Sequence, residues 1–178
     1  MAFSLDISYI HVLFLAFLTI FFPLPTKGDL IDDVCAQMPD NKPLCLDTLR
    51  ADPRSNTQNF QVLAQISFDA AMKDASGLPP FVESLQISVR DSGVKERISG
   101  CVRNAENALG SITQAKQFLE SRRYGIAYEN ARLANNTLSI CGHTFLTPPA
   151  IEPLELKQAF DRSEALISIF MVVTRHMF

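Results

Sequence analysis

Four cysteines are the residues of this sequence best suited to covalent chemistry. They are Cys35, Cys45, Cys101 and Cys141. An even number of cysteines behind an export signal is typical of structural disulfides. The only histidines are His11, His143 and His176, and this scarcity argues against a histidine-based metal site or a Ser-His-Asp triad. No glycine-rich phosphate loop, metal-ligand cluster or nucleophile–base pair is visible, so the sequence predicts neither an enzyme nor a bound cofactor.

The first 28 residues have the pattern of a secretory signal peptide. The eleven residues at 12–22 are apolar except for Thr19, and they are followed by prolines and then by Thr26-Lys27-Gly28. That apolar run is shorter than the roughly 20 residues that a membrane span needs, and small residues precede a cleavage site after Gly28. The sequence therefore predicts a leader over residues 1–28 and one mature, secreted domain over residues 29–178. An uncleaved membrane anchor is the alternative.

The charge balance and one sequon bear on partners and modification. Sixteen Lys and Arg residues against 19 Asp and Glu residues give a net charge of -3, which argues against a nucleic-acid partner. Asn135 begins an Asn-Asn-Thr sequon and is a candidate N-glycosylation site. The sequon is only weak evidence for glycosylation, because it falls within a predicted helix.

Apolar and small residues recur with alternating spacings of three and four along two consecutive segments. The first series is Val94, Ile98, Cys101, Ala105, Ala108, Ile112, Ala115 and Leu119; the second is Tyr124, Ala127, Ala131, Ala134, Leu138, Cys141 and Phe145. This spacing predicts two helices that form an antiparallel hairpin around a turn at residues 121–123. Cysteine counting alone leaves several connectivities open. The hairpin places Cys101 level with Cys141, within reach of a disulfide, and Cys35 would then pair with Cys45.

Two further long helices flank this hairpin. Ser55 to Gln58 has the pattern of a capping box and predicts a helix that begins at Ser55 and breaks or kinks near Gly77 and Pro79-Pro80. The last helix is expected over residues 154–175, with a seam of Leu156, Phe160, Ser163, Ile167, Phe170 and Thr174. The apolar second half of this helix indicates burial, with membrane contact as the alternative. Two short helical pieces carry Cys35 and Cys45, so the predicted fold is all-α: a disulfide-bonded up-and-down four-helix bundle with an N-terminal helical hairpin extension.

The sequence as a whole resembles the plant invertase and pectin methylesterase inhibitors. The resemblance rests on the Cys35–Cys45 spacing, the Leu49-x-x-Asp52-Pro53-x-Ser55 motif that follows it, and Phe145 four residues after Cys141. It implies a four-helix bundle with an N-terminal hairpin, disulfides that join the first cysteine to the second and the third to the fourth, and a role in blocking a carbohydrate-active enzyme. Members of this family are secreted or vacuolar, so the expected location is the apoplast, with the vacuole as the alternative.

The resemblance leaves the target enzyme open. Invertase inhibitors often carry Pro-Lys-Phe before the helix of the fourth cysteine, where this chain has Arg122-Arg123-Tyr124. Pectin methylesterase inhibitors often carry a Ser-Ala-Ala-Leu-Thr-like stretch in that helix, where this chain has Asn-Ala-Arg-Leu-Ala at residues 130–134. The missing proline favours pectin methylesterase slightly. A cell-wall or vacuolar acid invertase is the second target, and a non-inhibitory secreted binding or signalling module is the third interpretation.

The candidate partner-binding residues lie on the polar side of the hairpin and at its turn. They are Arg103, Asn107, Gln114, Arg122, Arg123 and Tyr124. Arginine and tyrosine are frequent anchors of protein interfaces, although a merely solvated helix face would carry the same residue types.

Overall fold

The computed structural model describes residues 29–148 and 151–178. These ranges contain six α-helices and two short 3₁₀ turns, joined by loops. The helices are α1 (Leu30–Cys35), α2 (Lys42–Arg50), α3 (Phe60–Ser88), α4 (Ser92–Glu120), α5 (Tyr124–Thr144) and α6 (Leu154–Arg175). The 3₁₀ turns are Pro39–Asn41 and Pro53–Ser55. No strand occurs within these ranges. The predicted leader at residues 1–28 lies outside the described residues.

Helices α3 to α6 form an up-and-down bundle in which each helix packs against the next and α6 returns to pack against α3. The α3–α6 edge is therefore opposite the α4–α5 edge. The short helices α1 and α2 pack against each other and against α6, and α2 also packs against α3. This arrangement confirms the predicted all-α four-helix bundle with an N-terminal helical extension.

The core follows the periodicities read from the sequence. Every predicted seam residue of α4 from Ile98 to Leu119 is buried, and so is every one of α5 from Ala127 to Cys141. Small alanines at these positions let the two helix axes approach closely. The whole predicted seam of α6 is also buried, and Phe68 meets Phe170 edge to face at 5.5 Å between ring centroids.

The apolar second half of α6 is buried within the bundle, as expected. Ile167, Ile169, Phe170 and Val173 have no exposed side-chain surface. Among the described residues, no helix is both long and apolar enough to cross a membrane.

Two disulfides join neighbouring helices. Cys35 in α1 is bonded to Cys45 in α2 with a Cα–Cα distance of 5.6 Å. Cys101 in α4 is bonded to Cys141 in α5 with a Cα–Cα distance of 4.9 Å. This is the pairing that the hairpin geometry and the family resemblance both suggested. The second bond fixes the register of α4 against α5, because it joins two buried seam positions near one end of the hairpin.

The predicted capping box at Ser55 is wrong. Ser55 closes a 3₁₀ turn, and α3 begins at Phe60, where the Asn59 side chain accepts a hydrogen bond from the Gln61 amide at 2.8 Å. The Thr57 hydroxyl also accepts from the Asn59 amide at 3.1 Å. Side chains that accept hydrogen bonds from nearby backbone amides stabilise non-helical conformations. Here they keep residues 56–59 out of the helix, which therefore begins at Phe60 rather than at Ser55.

Of the two outcomes predicted at Gly77 and the proline pair, a break or a kink, the break does not occur. Helix α3 continues through Pro79 and Pro80 to Ser88. A proline inside a helix removes one backbone hydrogen bond. Burial of Leu78, Pro79 and Val82 against the bundle offsets that loss, so packing overrides the local propensity.

Candidate partner-binding surface

The turn between α4 and α5 is a well-defined structure that presents two arginines. The Arg123 amide donates to the Phe118 carbonyl at 2.8 Å, and the Arg122 amide donates to the Leu119 carbonyl at 3.1 Å. These two bonds form a Schellman motif, in which the residue after the helix cap adopts a left-handed conformation. Arg122 occupies that position with a φ of 59°. The Arg123 guanidinium lies 5.1 Å from the Phe118 ring centroid, so both arginine side chains start from a fixed backbone.

Tyr124 is directed differently from its two neighbours. Its hydroxyl accepts a hydrogen bond from the Gln61 side chain of α3 at 2.6 Å, and the residue is half-buried. This contact fastens the start of α5 to α3. Of the three turn residues singled out by the sequence, the two arginines are exposed and the tyrosine is held in the bundle.

The predicted polar residues of α4 share one exposed side of the helix. Arg103, Asn107 and Gln114 are all exposed, and spacings of four and seven residues place them on the same face. These three residues form a polar row on α4, and the exposed turn arginines lie beyond the C-terminal end of that helix.

An apolar row on α5 lies beside this polar row, and the sequence reasoning missed it. Ile126, Leu133 and Ile140 are 37%, 55% and 51% exposed. They are seven residues apart, so they share one helix face. Together with Asn130 and Thr137 they form a second series of alternating spacings of three and four, adjacent to the buried seam of α5. That second series is visible in the sequence, but its period alone does not distinguish an exposed row from a buried seam.

The Cys101–Cys141 bond sets these two rows level with one another. Counting outward from that bond along the antiparallel helices puts Ile140, Leu133 and Ile126 level with residues 102, 109 and 116 of α4. These levels are within two residues of Arg103, Asn107 and Gln114. We call these six residues, with Arg122 and Arg123, the hairpin face. It combines guanidinium and amide groups with exposed apolar side chains.

The hairpin face mixes apolar, amide and guanidinium groups. Protein interfaces also combine a central apolar area with polar groups around it. Among the described residues, no group of His, Cys, Asp or Glu is arranged to hold a metal ion.

Asn135, the expected glycosylation site, lies within α5 and is half-buried. Its side-chain oxygen is buried without a hydrogen-bond partner in the described part of the chain. Glycosylated asparagines usually lie on surface loops. Modification of Asn135 therefore stays a prediction, and its helical position disfavours it.

Two acidic side chains, Glu152 just before α6 and Glu164 within it, have raised pKa values. Burial is the main cause that raises the pKa of Glu152 and of Glu164, and the Asp161 carboxylate adds to both shifts. In the N-terminal extension, by contrast, hydrogen bonds from Arg54 lower the pKa of Asp52 to about 2. Arg54 also reaches Asp69 of α3 at 2.8 Å, so it ties the extension to the bundle.

Comparison with known proteins gives concordant matches. A pectinesterase inhibitor from Actinidia deliciosa is 33% identical over 98% of this chain and 96% of its own length. A putative invertase inhibitor from Platanus acerifolia is 24% identical over 98% of this chain and 97% of its own length. The crystal structure of a mutant form of a pectin methylesterase inhibitor from Arabidopsis superposes with a TM-score of 0.72 at 18% identity, covering 83% of this chain and 97% of the other.

The family described as plant invertase/pectin methylesterase inhibitor matches residues 29–149. This range contains α1 to α5, both disulfides and the hairpin face. Family and relatives are named as inhibitors of enzymes rather than as enzymes. The chain belongs to the plant invertase/pectin methylesterase inhibitor family.

Proposed function

We propose that the mature chain is a secreted inhibitor that binds and blocks a pectin methylesterase as a reversible stoichiometric complex. The observation that carries this proposal is the alignment with the pectinesterase inhibitor from Actinidia deliciosa, which spans nearly the whole of both chains.

The hairpin face is the surface proposed to contact the enzyme. Its apolar row supplies the area that is removed from water, and its arginines and amides supply polar contacts around that row. A surface without catalytic groups inhibits by covering a cleft, and the bound inhibitor is not consumed. Both helices of the face are joined by Cys101–Cys141, so little conformational freedom is lost when they dock.

An acid invertase is the second candidate target. The putative invertase inhibitor from Platanus acerifolia aligns over nearly the same length, and the turn keeps a cation and an aromatic residue at Arg123 and Tyr124. The same hairpin face would serve either enzyme.

Secretion into the cell wall follows from the predicted leader, and the fold is compatible with cleavage after Gly28. Asp29 caps α1 by accepting a hydrogen bond from the Ile31 amide at 3.0 Å, and its carboxylate pairs with Arg50 at 2.9 Å. Cleavage at this point leaves those contacts intact. The vacuole remains the alternative destination.

The decisive experiment titrates purified residues 29–178 into several pectin methylesterases and acid invertases across acidic and neutral pH. We expect inhibition of pectin methylesterase that saturates at one inhibitor per enzyme. Leu133→Asp is expected to weaken inhibition about tenfold or more, because it places a charge in the middle of the apolar row. Ile87→Asp is the matched control, because Ile87 is an exposed apolar residue at the end of α3.

The outcomes separate target, surface and function. Inhibition of invertase alone would overturn the proposed target. Equal inhibition by the two aspartate variants would show that the hairpin face is not the contact surface. If no enzyme of either class is inhibited at any pH, the inhibitor proposal is wrong and the non-inhibitory module takes its place.

A further inference from the structure

A groove runs along the edge of the bundle opposite the hairpin face, between α3 and α6, and Thr48 of α2 and the following Ala51 also line it. It has a volume of about 580 Å³. Its floor is made of small and apolar residues: Ala51, Ala70, Gly77, Leu78, Phe81 and Leu166. Three charged residues, Lys73, Asp74 and Arg162, stand along it.

Gly77 keeps the middle of this groove open. A Cβ atom added at Gly77 would meet no atom within 4 Å, so close packing within the protein does not require glycine there. Glycine destabilises the interior of a helix relative to alanine. The missing side chain at Gly77 leaves open space beside Phe81. Because Phe81 is 37% exposed, a molecule from solvent can reach this space.

The two cations and one carboxylate that line the groove give it a net positive charge. The Asp74 carboxylate accepts from Arg162 Nε at 2.9 Å and from the buried Ser163 hydroxyl at 2.5 Å. This pairing holds Arg162 in place, while its side chain stays 61% exposed. Its terminal nitrogens and the exposed Lys73 ammonium have no acceptor or ion-pair partner among the described residues.

We propose that this groove binds a small amphipathic carboxylate that carries an aromatic ring. The carboxylate would lie between Lys73 and Arg162, because a guanidinium and an ammonium form charge-assisted hydrogen bonds with carboxylate oxygens. The ring would pack on Leu78 and Phe81. The groove volume falls within the range of about 300–1,000 Å³ that small-molecule sites occupy.

This site is independent of the proposed inhibitory surface. The groove belongs to the α3–α6 edge and the hairpin face to the α4–α5 edge, so both can be occupied at once. Failure of the enzyme titration would therefore leave the groove proposal intact, and the reverse also holds.

Calorimetric titration with 4-hydroxycinnamate and with its neutral methyl ester tests the charge requirement. We expect the acid to bind about tenfold more tightly than the ester, since only the acid engages the two cations. Lys73→Glu should remove that preference. Lys116→Glu on α4, where Lys116 is an exposed lysine, should keep it.

A second pair of variants tests the location. Gly77→Phe should abolish binding by filling the groove, whereas Gly110→Phe should not, because Gly110 is an equally open glycine on α4. Circular dichroism confirms that each variant is folded. Equal affinity for acid and ester, equal effects of the two phenylalanine variants, or no binding by the unaltered protein would each overturn the proposal.

Discussion

Two substitutions at Arg122 separate the effect of its backbone strain on stability from the effect of its side chain on inhibition. It holds the left-handed position of the Schellman motif with a φ of 59°, where a side chain with a Cβ costs about 1–2 kcal/mol. Arg122→Gly removes that cost but adds roughly 0.5–1 kcal/mol of freedom to the unfolded chain. The two backbone hydrogen bonds of the motif do not involve the side chain and are kept.

The balance predicts that Arg122→Gly raises the free energy of unfolding by about 0.5–1 kcal/mol. For a domain of this size the melting temperature should rise by roughly 1–4 °C. Arg122→Ala is the matched variant: it also lacks the guanidinium, but it keeps the Cβ and its strain. We therefore expect the glycine variant to be the more stable of the two, and both to lose the same part of the inhibition.

Thermal unfolding and enzyme titration of the three proteins measure these effects. A glycine variant that is no more stable than the alanine variant would refute the strain argument. If both variants inhibit as well as the unaltered chain, Arg122 makes no contact with the enzyme, although the stability argument would stand.

Three further predictions concern the disulfide, a carboxyl group and the leader. Replacing Cys101 and Cys141 together by alanine should preserve the helical spectrum and cost up to about 4 kcal/mol of stability, since the bond closes a long loop of sequence separation 40; an unchanged melting temperature would contradict this. Burial raises the pKa of Glu164 above its ordinary 4.5, so the stability that Glu164 contributes is complete below that value and is lost as pH rises through the folded-state pKa. Glu164→Gln should therefore flatten the fall in melting temperature between mildly acidic and neutral pH, and a profile identical to that of the unaltered protein would exclude this role. Mass spectrometry of the protein recovered from a plant secretory system should show Asp29 as its first residue, and a retained leader would favour the anchor alternative.

The sequence predicted the structure best where helices bury one face, because burial requires apolar residues at regular spacings. The α4, α5 and α6 seams, the turn at residues 121–123 and the bounds of α6 were all predicted from spacing, because a helix that packs on one side must repeat its apolar residues. Local signals misled at Ser55 and at Pro79. Each competes with contacts that a short window does not contain: side-chain bonds of Thr57 and Asn59 in the first case, and burial against the bundle in the second.

The candidate surface was only half predictable, for a related reason. Arg103, Asn107 and Gln114 could be placed on one face by helical spacing. Ile126, Leu133 and Ile140 obey the same kind of period as core residues. Only the packed structure shows that α6 and α4 cover the neighbouring seam and leave these three exposed. The groove beside Gly77 depends on the approach of α2, α3 and α6, which no sequence period specifies.

Two sets of residues recur every seven positions along α5, one represented by the buried Ala134 and the other by the exposed Leu133. One is buried and holds the fold; the other faces solvent and belongs to the hairpin face. Substitutions at exposed positions usually change stability little, so residues such as Leu133 can vary while Ala134 and Leu138 stay fixed by packing. With the hairpin face as the proposed contact surface, the recognised enzyme could change without any change to the buried residues of the bundle. The proposal would then give a physical reason why one scaffold can hold both pectinesterase inhibitors and invertase inhibitors, since specificity and folding would depend on different residues of the same helix.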